Sequence, residues 1–268
     1  MTFQIHFDGI PKGFGRMGRS GFGGIAKFAA IAAGLAMAGM VAGCDAESVA
    51  MAGKKGVPLA ELDLSGASPT AIALMGPDSV RVTEGDTLSI EVEGSDEMVA
   101  AMRFTLDDKT LGILRSKTAP DGEKAVVLVT MPALESIVVA GSGRIQTGAM
   151  ARNAEVVITG SGSAIGRDLD VDSLDLTIAG SGSYAANGRA RSLDLSIAGS
   201  GSAGLKDMTV EKADVSIAGS GDGVFRSDGN VSANIMGSGV VRVIGRARCD
   251  VNAFGSGKLV CEDGATSE

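Results

Sequence analysis

Carboxylates at a fixed interval are the first feature of this sequence that could do chemistry. Glu155, Asp175, Asp194, Asp214 and Asp250 each stand five residues before a Gly-Ser-Gly tripeptide, and Ser136 and Ser232 take that place before two other copies. Stacked about 4.8 Å apart, neighbours in such a row repel by roughly 1 kcal/mol in water. The row either splays into solvent or gathers a cation such as Ca²⁺, to which Thr177, Ser196 and Ser216 of the adjacent outward row would add only weak ligands. Asp168, Asp170 and Asp172 alternate onto one face of an extended stretch and form a second acidic cluster. Solvated surface is the simpler reading of both, so we assign no metal site, no cofactor and no catalytic residue.

Other reactive types support that assignment. The sole histidine, His6, lies upstream of a processing point considered below, which removes Ser-His-Asp, Cys-His and histidine-metal chemistry from the mature chain. The tripeptide serines, Ser142, Ser161, Ser181, Ser200, Ser220, Ser238 and Ser256, have no base among them and fit corner hydrogen bonding better than nucleophilic attack. Arg144, Arg167, Arg189, Arg191 and Lys206 are scattered after the tripeptides and make no evident cluster with the acids, as a polysaccharide lyase or hydrolase would require. Cys249 and Cys261, six residues before and six after Gly255, should both point inward across the last corner. They are either two core thiols or a disulfide worth about 3 kcal/mol, which an oxidising envelope permits.

The element that must position these residues is the repeat. Gly-Ser-Gly begins at Gly141, Gly160, Gly180, Gly199, Gly219, Gly237 and Gly255, at intervals of 19, 20, 19, 20, 18 and 18 residues. The second residue before each copy is Val139, Ile158, Ile178, Ile197, Ile217, Ile235 and Ala253; the fourth is Ile137, Val156, Leu176, Leu195, Val215, Ala233 and Val251. Spacing by two marks strands with one inward face, and the fixed long period marks one coil of a solenoid per repeat. The expected fold is all-β, a right-handed parallel β-helix-like solenoid with Gly-Ser-Gly corners over 133–262 and a less regular, β-rich half over 57–132 that seals one end.

Within that first half, Leu62-Asp63-Leu64-Ser65-Gly66 reads as a degenerate rung. Ser79–Thr83 and Thr87–Val92 read as a hairpin turning at Glu84-Gly85-Asp86, and Ser95–Met102 as a capped short helix. A second hairpin should turn at Asp107-Asp108-Lys109.

Lys12, Arg16, Arg19 and Lys27 precede an apolar, small-residue run from Phe28 to Gly43, a secretory signal over 1–43. Val41-Ala42-Gly43-Cys44 resembles the bacterial lipobox, in which the cysteine is acylated, so Cys44 is the expected lipidation site and 44–56 a tether. Asp45 favours the periplasmic side of the inner membrane, with the outer membrane or cell surface as alternatives. Cleavage leaves 20 basic and 31 acidic residues, a charge of −11. Such a body is repelled by anionic headgroups and by phosphates, so membrane contact is expected through the anchor alone, and nucleic acid is not an expected partner. Residues 263–268 form a polar tail.

The repeated strand-then-Gly-Ser-Gly pattern, Leu88–Gly94 after its Glu-Gly-Asp turn, and Val129-Thr130-Met131-Pro132-Ala133-Leu134 resemble the head GIN domain, a family labelled "putative auto-transporter adhesin", over about Val57 to Cys261. The resemblance implies a β-helix-like solenoid in a bacterial envelope or secreted protein and brings no catalytic residues. Together these features predict a non-enzymatic, lipid-anchored, adhesin-like envelope protein with a glycan or envelope-protein ligand. The alternatives are a structural or regulatory lipoprotein that docks another protein and, less well supported, a polysaccharide-active enzyme.

Overall fold

The computed structural model describes residues 50–262 apart from Ala52 and Asp108, all within the unit Ala38–Glu268. The expected leader, Cys44 and the tail 263–268 lie outside the described residues. The fold is a β-solenoid of about seven turns. One ladder consists of strands that lead into a corner: Ala71–Met75, Leu134–Gly141, Met150–Gly160, then 173–180, 192–199 and 212–219, then Asn230–Gly237 and Arg248–Gly255, each parallel to the next. The strands that leave each corner form a second parallel ladder, from Ser79–Glu84 through Arg144–Thr147 to Val240–Ile244 and Lys258–Glu262.

Each corner is built by its two glycines, for different reasons. The first takes a positive φ, 120° at Gly199, and lies so close to the coil below that a Cβ there would come within 2.5 Å of Gly180 O. At the second the conflict is with a side chain: a Cβ on Gly201 would sit 2.4 Å from Ile178 Cγ2. The serine between them is exposed, and it is its backbone N–H that makes the corner bond, as from Ser200 to Gly180 O at 2.9 Å. Corner hydrogen bonding is therefore carried by the main chain and leaves the hydroxyls at the surface.

The counted rows face inward. Ile137, Val156, Leu176, Leu195, Val139, Ile158, Ile178 and Ile197 are wholly buried. Each such side chain contributes roughly 1.5 to 3 kcal/mol, which holds together coils that could not fold singly. On the second ladder Tyr184 lies between Ala164 and Ala203 of the adjacent coils, and this small-large-small alternation makes room for the ring. A Cβ on Gly166 would come within 2.7 Å of its hydroxyl oxygen. Among the described residues that hydroxyl has no hydrogen-bond partner, and burial pushes its pKa well above the ordinary phenol value.

The N-terminal half departs from the expected local order. Ser79–Glu84 and Ser89–Glu93 do not pair with each other. Val126–Met131 lies between them, parallel to the first and antiparallel to the second. Ser79–Glu84 is a solenoid strand with Arg144–Thr147 on its other side, so it has no edge left for a hairpin partner. Leu62–Gly66 forms no strand; Asp63 instead accepts a bond from the Ser65 amide at 3.0 Å in a local turn. The first true corner is Gly76-Pro77-Asp78, in register with Gly141-Ser142-Gly143. The coil outside it comes later in the chain, from Thr110–Arg115 and Val126–Met131. Met102–Leu106 pairs antiparallel with Thr110–Arg115 as the second hairpin, and the helix Asp96–Ala101, capped by Ser95, buries Met98 and Ala101. Residues 50–55, expected as tether, include two short antiparallel strands, Ala50–Met51 and Lys54–Lys55.

The out-of-order coil is tied to its neighbour by one ion pair. Asp78 is fully buried and accepts from Arg115 Nε at 3.0 Å, from Nη2 at 2.5 Å and from the Ala125 amide at 2.9 Å. At the other end, by contrast, no further coil among the described residues covers the last rung. Cys249 and Cys261 are disulfide-bonded with Cα atoms 6.8 Å apart, and both are exposed rather than buried.

Two stability predictions follow from these buried polar groups. Asp78→Ala should lower the unfolding free energy by about 3 kcal/mol in denaturant melts, because it strands the Arg115 charge. Tyr184→Phe should raise it by about 1 kcal/mol, because it removes a buried hydroxyl that is never satisfied.

A charged groove as the candidate functional site

Three successive coils, of 20, 19 and 20 residues, carry a third short strand that the 18-residue coils lack. After the second ladder the chain bends at a register shift between Gly166 and Leu169, where Asp168 takes a φ of 55°, a left-handed conformation that aspartate tolerates. Beyond the bend, 169–171, 188–190 and 208–210 align in parallel. Gly188 is required there, because a Cβ would lie 2.1 Å from Leu169 O. The following coil turns back directly through 227–229, so the third face stops and an open groove of about 850 Å³ lies over it.

Inward residues of this face, Leu169, Val171, Ala190, Met208 and Val210, complete the core, and alternation sends the intervening charges outward into the groove. Across the coils these charges alternate in sign. Arg152, Asp172, Arg191 and Glu211 occupy one row, with Asp172 Oδ1 at 3.6 Å from Arg152 Nη1 and 3.3 Å from Arg191 Nη1. Those two contacts are ionic, since this oxygen receives no hydrogen bond. In the next row Arg189 grips Asp170 with both arms, Nε to Oδ1 at 2.7 Å and Nη2 to Oδ2 at 3.1 Å. In the third, Asn187 Nδ2 donates to Asp168 at 2.9 Å. Opposite charges placed directly across strands are the favourable pairing in a sheet.

The structure thus places Asp168, Asp170 and Asp172 on one face, as expected, and gives each a partner. It also overturns the expectation that the basic residues make no cluster with the acids. Arg189 and Arg191 stand one coil above Asp170 and Asp172, and Arg152 stands one coil below. The signal was present in the period: Asp170 to Arg189 and Asp172 to Arg191 are both separated by 19 residues, the length of the coil between them.

The other acidic row is aligned too. Glu155, Asp175, Asp194, Asp214, Ser232 and Asp250 are in direct register, with Ser136 Oγ donating to Glu155 at 3.3 Å and Lys212 Nζ 3.0 Å from Asp214. Among the described residues no three His, Cys, Asp or Glu side chains converge as a metal site.

Residues 68–247 match the family model "Putative auto-transporter adhesin, head GIN domain", and the chain belongs to that family. No curated protein matches it. Similar solved structures include a "putative adhesin" from Bacteroides fragilis NCTC 9343, with TM-score 0.65, 18% identity and coverage of 73% of this chain and 93% of that one. A "putative lipid binding protein" from Parabacteroides distasonis ATCC 8503 gives 0.60, 20%, 73% and 93%, and a "putative adhesin" from Parabacteroides merdae ATCC 43184 gives 0.57, 20%, 73% and 92%. At these identities they show a shared fold. No helix among the described residues is long and apolar enough to cross a membrane.

The hydrogen bonds from Arg189 hold the Asp170 carboxyl below the usual aspartate range, and the Arg189 guanidinium is correspondingly raised. A depressed carboxylate contributes stability above its unfolded pKa of about 3.9 and loses it as pH falls through the folded value. In an NMR titration the Asp170 midpoint should therefore lie below that of a free aspartate, and Arg189→Ala should return it to the ordinary range.

Proposed function

We propose that this protein is a non-enzymatic, adhesin-like member of the cell envelope. In this reading Cys44 carries the lipid anchor, on the periplasmic side of the inner membrane as Asp45 suggests, and the third-face groove takes a polar glycan. The observation that carries it is the alternating row of Arg152, Asp172, Arg191 and Glu211. It presents planar donors and acceptors at the spacing of successive coils, which suits the paired hydroxyls of an extended saccharide. Family membership supports the adhesin class.

The groove's own chemistry favours binding over turnover. A glycosidase needs one carboxyl held protonated near neutral pH, and Asp170 is shifted the opposite way by Arg189. A lipid chain suits the site poorly, because the groove is lined mainly by charged side chains and the coil interior is filled by the aliphatic rows.

The test is a binding screen of the protein against glycans, peptidoglycan fragments and envelope extracts, with and without Ca²⁺. Saturable glycan binding without turnover is expected. Arg152→Ala with Arg191→Ala should weaken it about tenfold or more while leaving the melting curve in place, since exposed ion pairs add little stability. Capture only of an envelope protein would support the docking lipoprotein instead, and consumption of a glycan would establish an enzyme.

A further inference from the structure

The two ends of the solenoid are finished differently. At the N-terminal end the ladders are closed by antiparallel strands, Met102–Leu106 and Ser89–Glu93, and by the helix Asp96–Ala101. At the other end, among the described residues, Arg248–Gly255 and Lys258–Glu262 each pair on one side only. The inward row there is uncovered: Val251, in register with the wholly buried Ala233, is 44% exposed.

We propose that this open end is a self-association surface, on which a second copy of the chain docks its own last coil about a two-fold axis. The free edge is specific about register. Lys258 N–H donates to Gly239 O and Glu262 C=O accepts from Gly245 N–H, both on the preceding coil, so the main-chain groups of Leu259 and Cys261 point the other way, to the open side. An antiparallel copy centred on Val260 sets Leu259 against Cys261 of its partner, and these exchange both hydrogen bonds, twice by symmetry. The same register sets Lys258 against the partner's Glu262, and Glu262 against the partner's Lys258. Side-chain parity is kept as well: Leu259 and Cys261 continue the inward rows of Val241 and Val243, so the pairing extends the core. Glu262 already has a long contact, 3.7 Å, to Arg242, and its carboxylate can accept from a second cation. One surface that is charge-complementary to itself under a two-fold is the requirement for an isologous dimer.

The test is sedimentation of the full chain in density-matched detergent over a range of concentrations. A monomer–dimer equilibrium is expected. Lys258→Glu or Glu262→Lys should each raise the dimer dissociation constant about tenfold, because two opposed pairs become like-charged. The double variant, which restores opposite charges, should recover the dimer. Unchanged thermal melts of the three variants would show that the fold is not the cause. A chain that is monomeric throughout, a dimer indifferent to the single variants, or a dimer that forms only after removal of 263–268 would overturn the proposal, the last by assigning the edge to the chain's own tail.

Discussion

Each coil of this protein turns where a glycine is pressed against the aliphatic side chain of the coil below. The contact between Gly201 and Ile178, repeated as Gly182 with Ile158 and Gly221 with Ile197, sets the vertical spacing of the corners. It also places the corner amide over the preceding glycine carbonyl, so the hydrogen-bond ladder runs through the bend without a break. With the corner fixed, the strand before it has only one way to face, and the apolar rows stack. A β-branched side chain at that position stiffens the arrangement further, since its rotamer freedom is small and little entropy is lost on packing.

Because the corners fix two ladders so tightly, variation is confined to the stretch between one coil's second ladder and the next coil's first. Coil length decides what happens there. An 18-residue coil turns directly, whereas the three coils from Gly160 to Gly219 use their one or two extra residues for a bulge and a third strand, whose outward side chains are free of the corner's demands. The groove arises from that difference in length. Its charges are arranged as a sheet arranges them, opposite sign across from opposite sign, so the paired Asp170, Asp172, Arg152, Arg189 and Arg191 accumulate little repulsion.

The corners and the inward rows were legible because each could be counted from a fixed mark. Ile158, Ile178 and Ile197 stand at one distance from their tripeptides and share one environment. The groove was not legible by the same count, because the bulge at Arg167-Asp168 shifts the phase; only comparison of whole coils, Asp170 with Arg189, brings the partners together. The swapped coil was hidden for another reason. Ser79–Thr83 and Val126–Met131 alternate as any half-buried strands do, and nothing local says which of several such strands will lie beside which. What selects the pairing is remote: Asp78 stands where the other corners have glycine, and its carboxylate is satisfied by Arg115 and the amide of Ala125.

The groove and the open end differ in what a ligand would have to displace. In the groove Asp168, Asp170 and Asp172 already have cationic or amide partners, so a saccharide hydroxyl would exchange one hydrogen bond for another and gain little beyond fit. Under the proposed function, binding there would be weak per contact, sensitive to salt, and useful mainly when many copies act together. At the last coil the disulfide holds Arg248–Gly255 to Lys258–Glu262 in place of the aliphatic stack a further coil would provide. It leaves the amides and carbonyls of Leu259 and Cys261 without a partner strand among the described residues. An added strand there replaces water on an edge that is already rigid, so the association loses little conformational entropy and is set by main-chain hydrogen bonds rather than by charge. The charges at Lys258 and Glu262 then act chiefly to choose the register, which is the role charge plays wherever a β edge must accept one partner and refuse others.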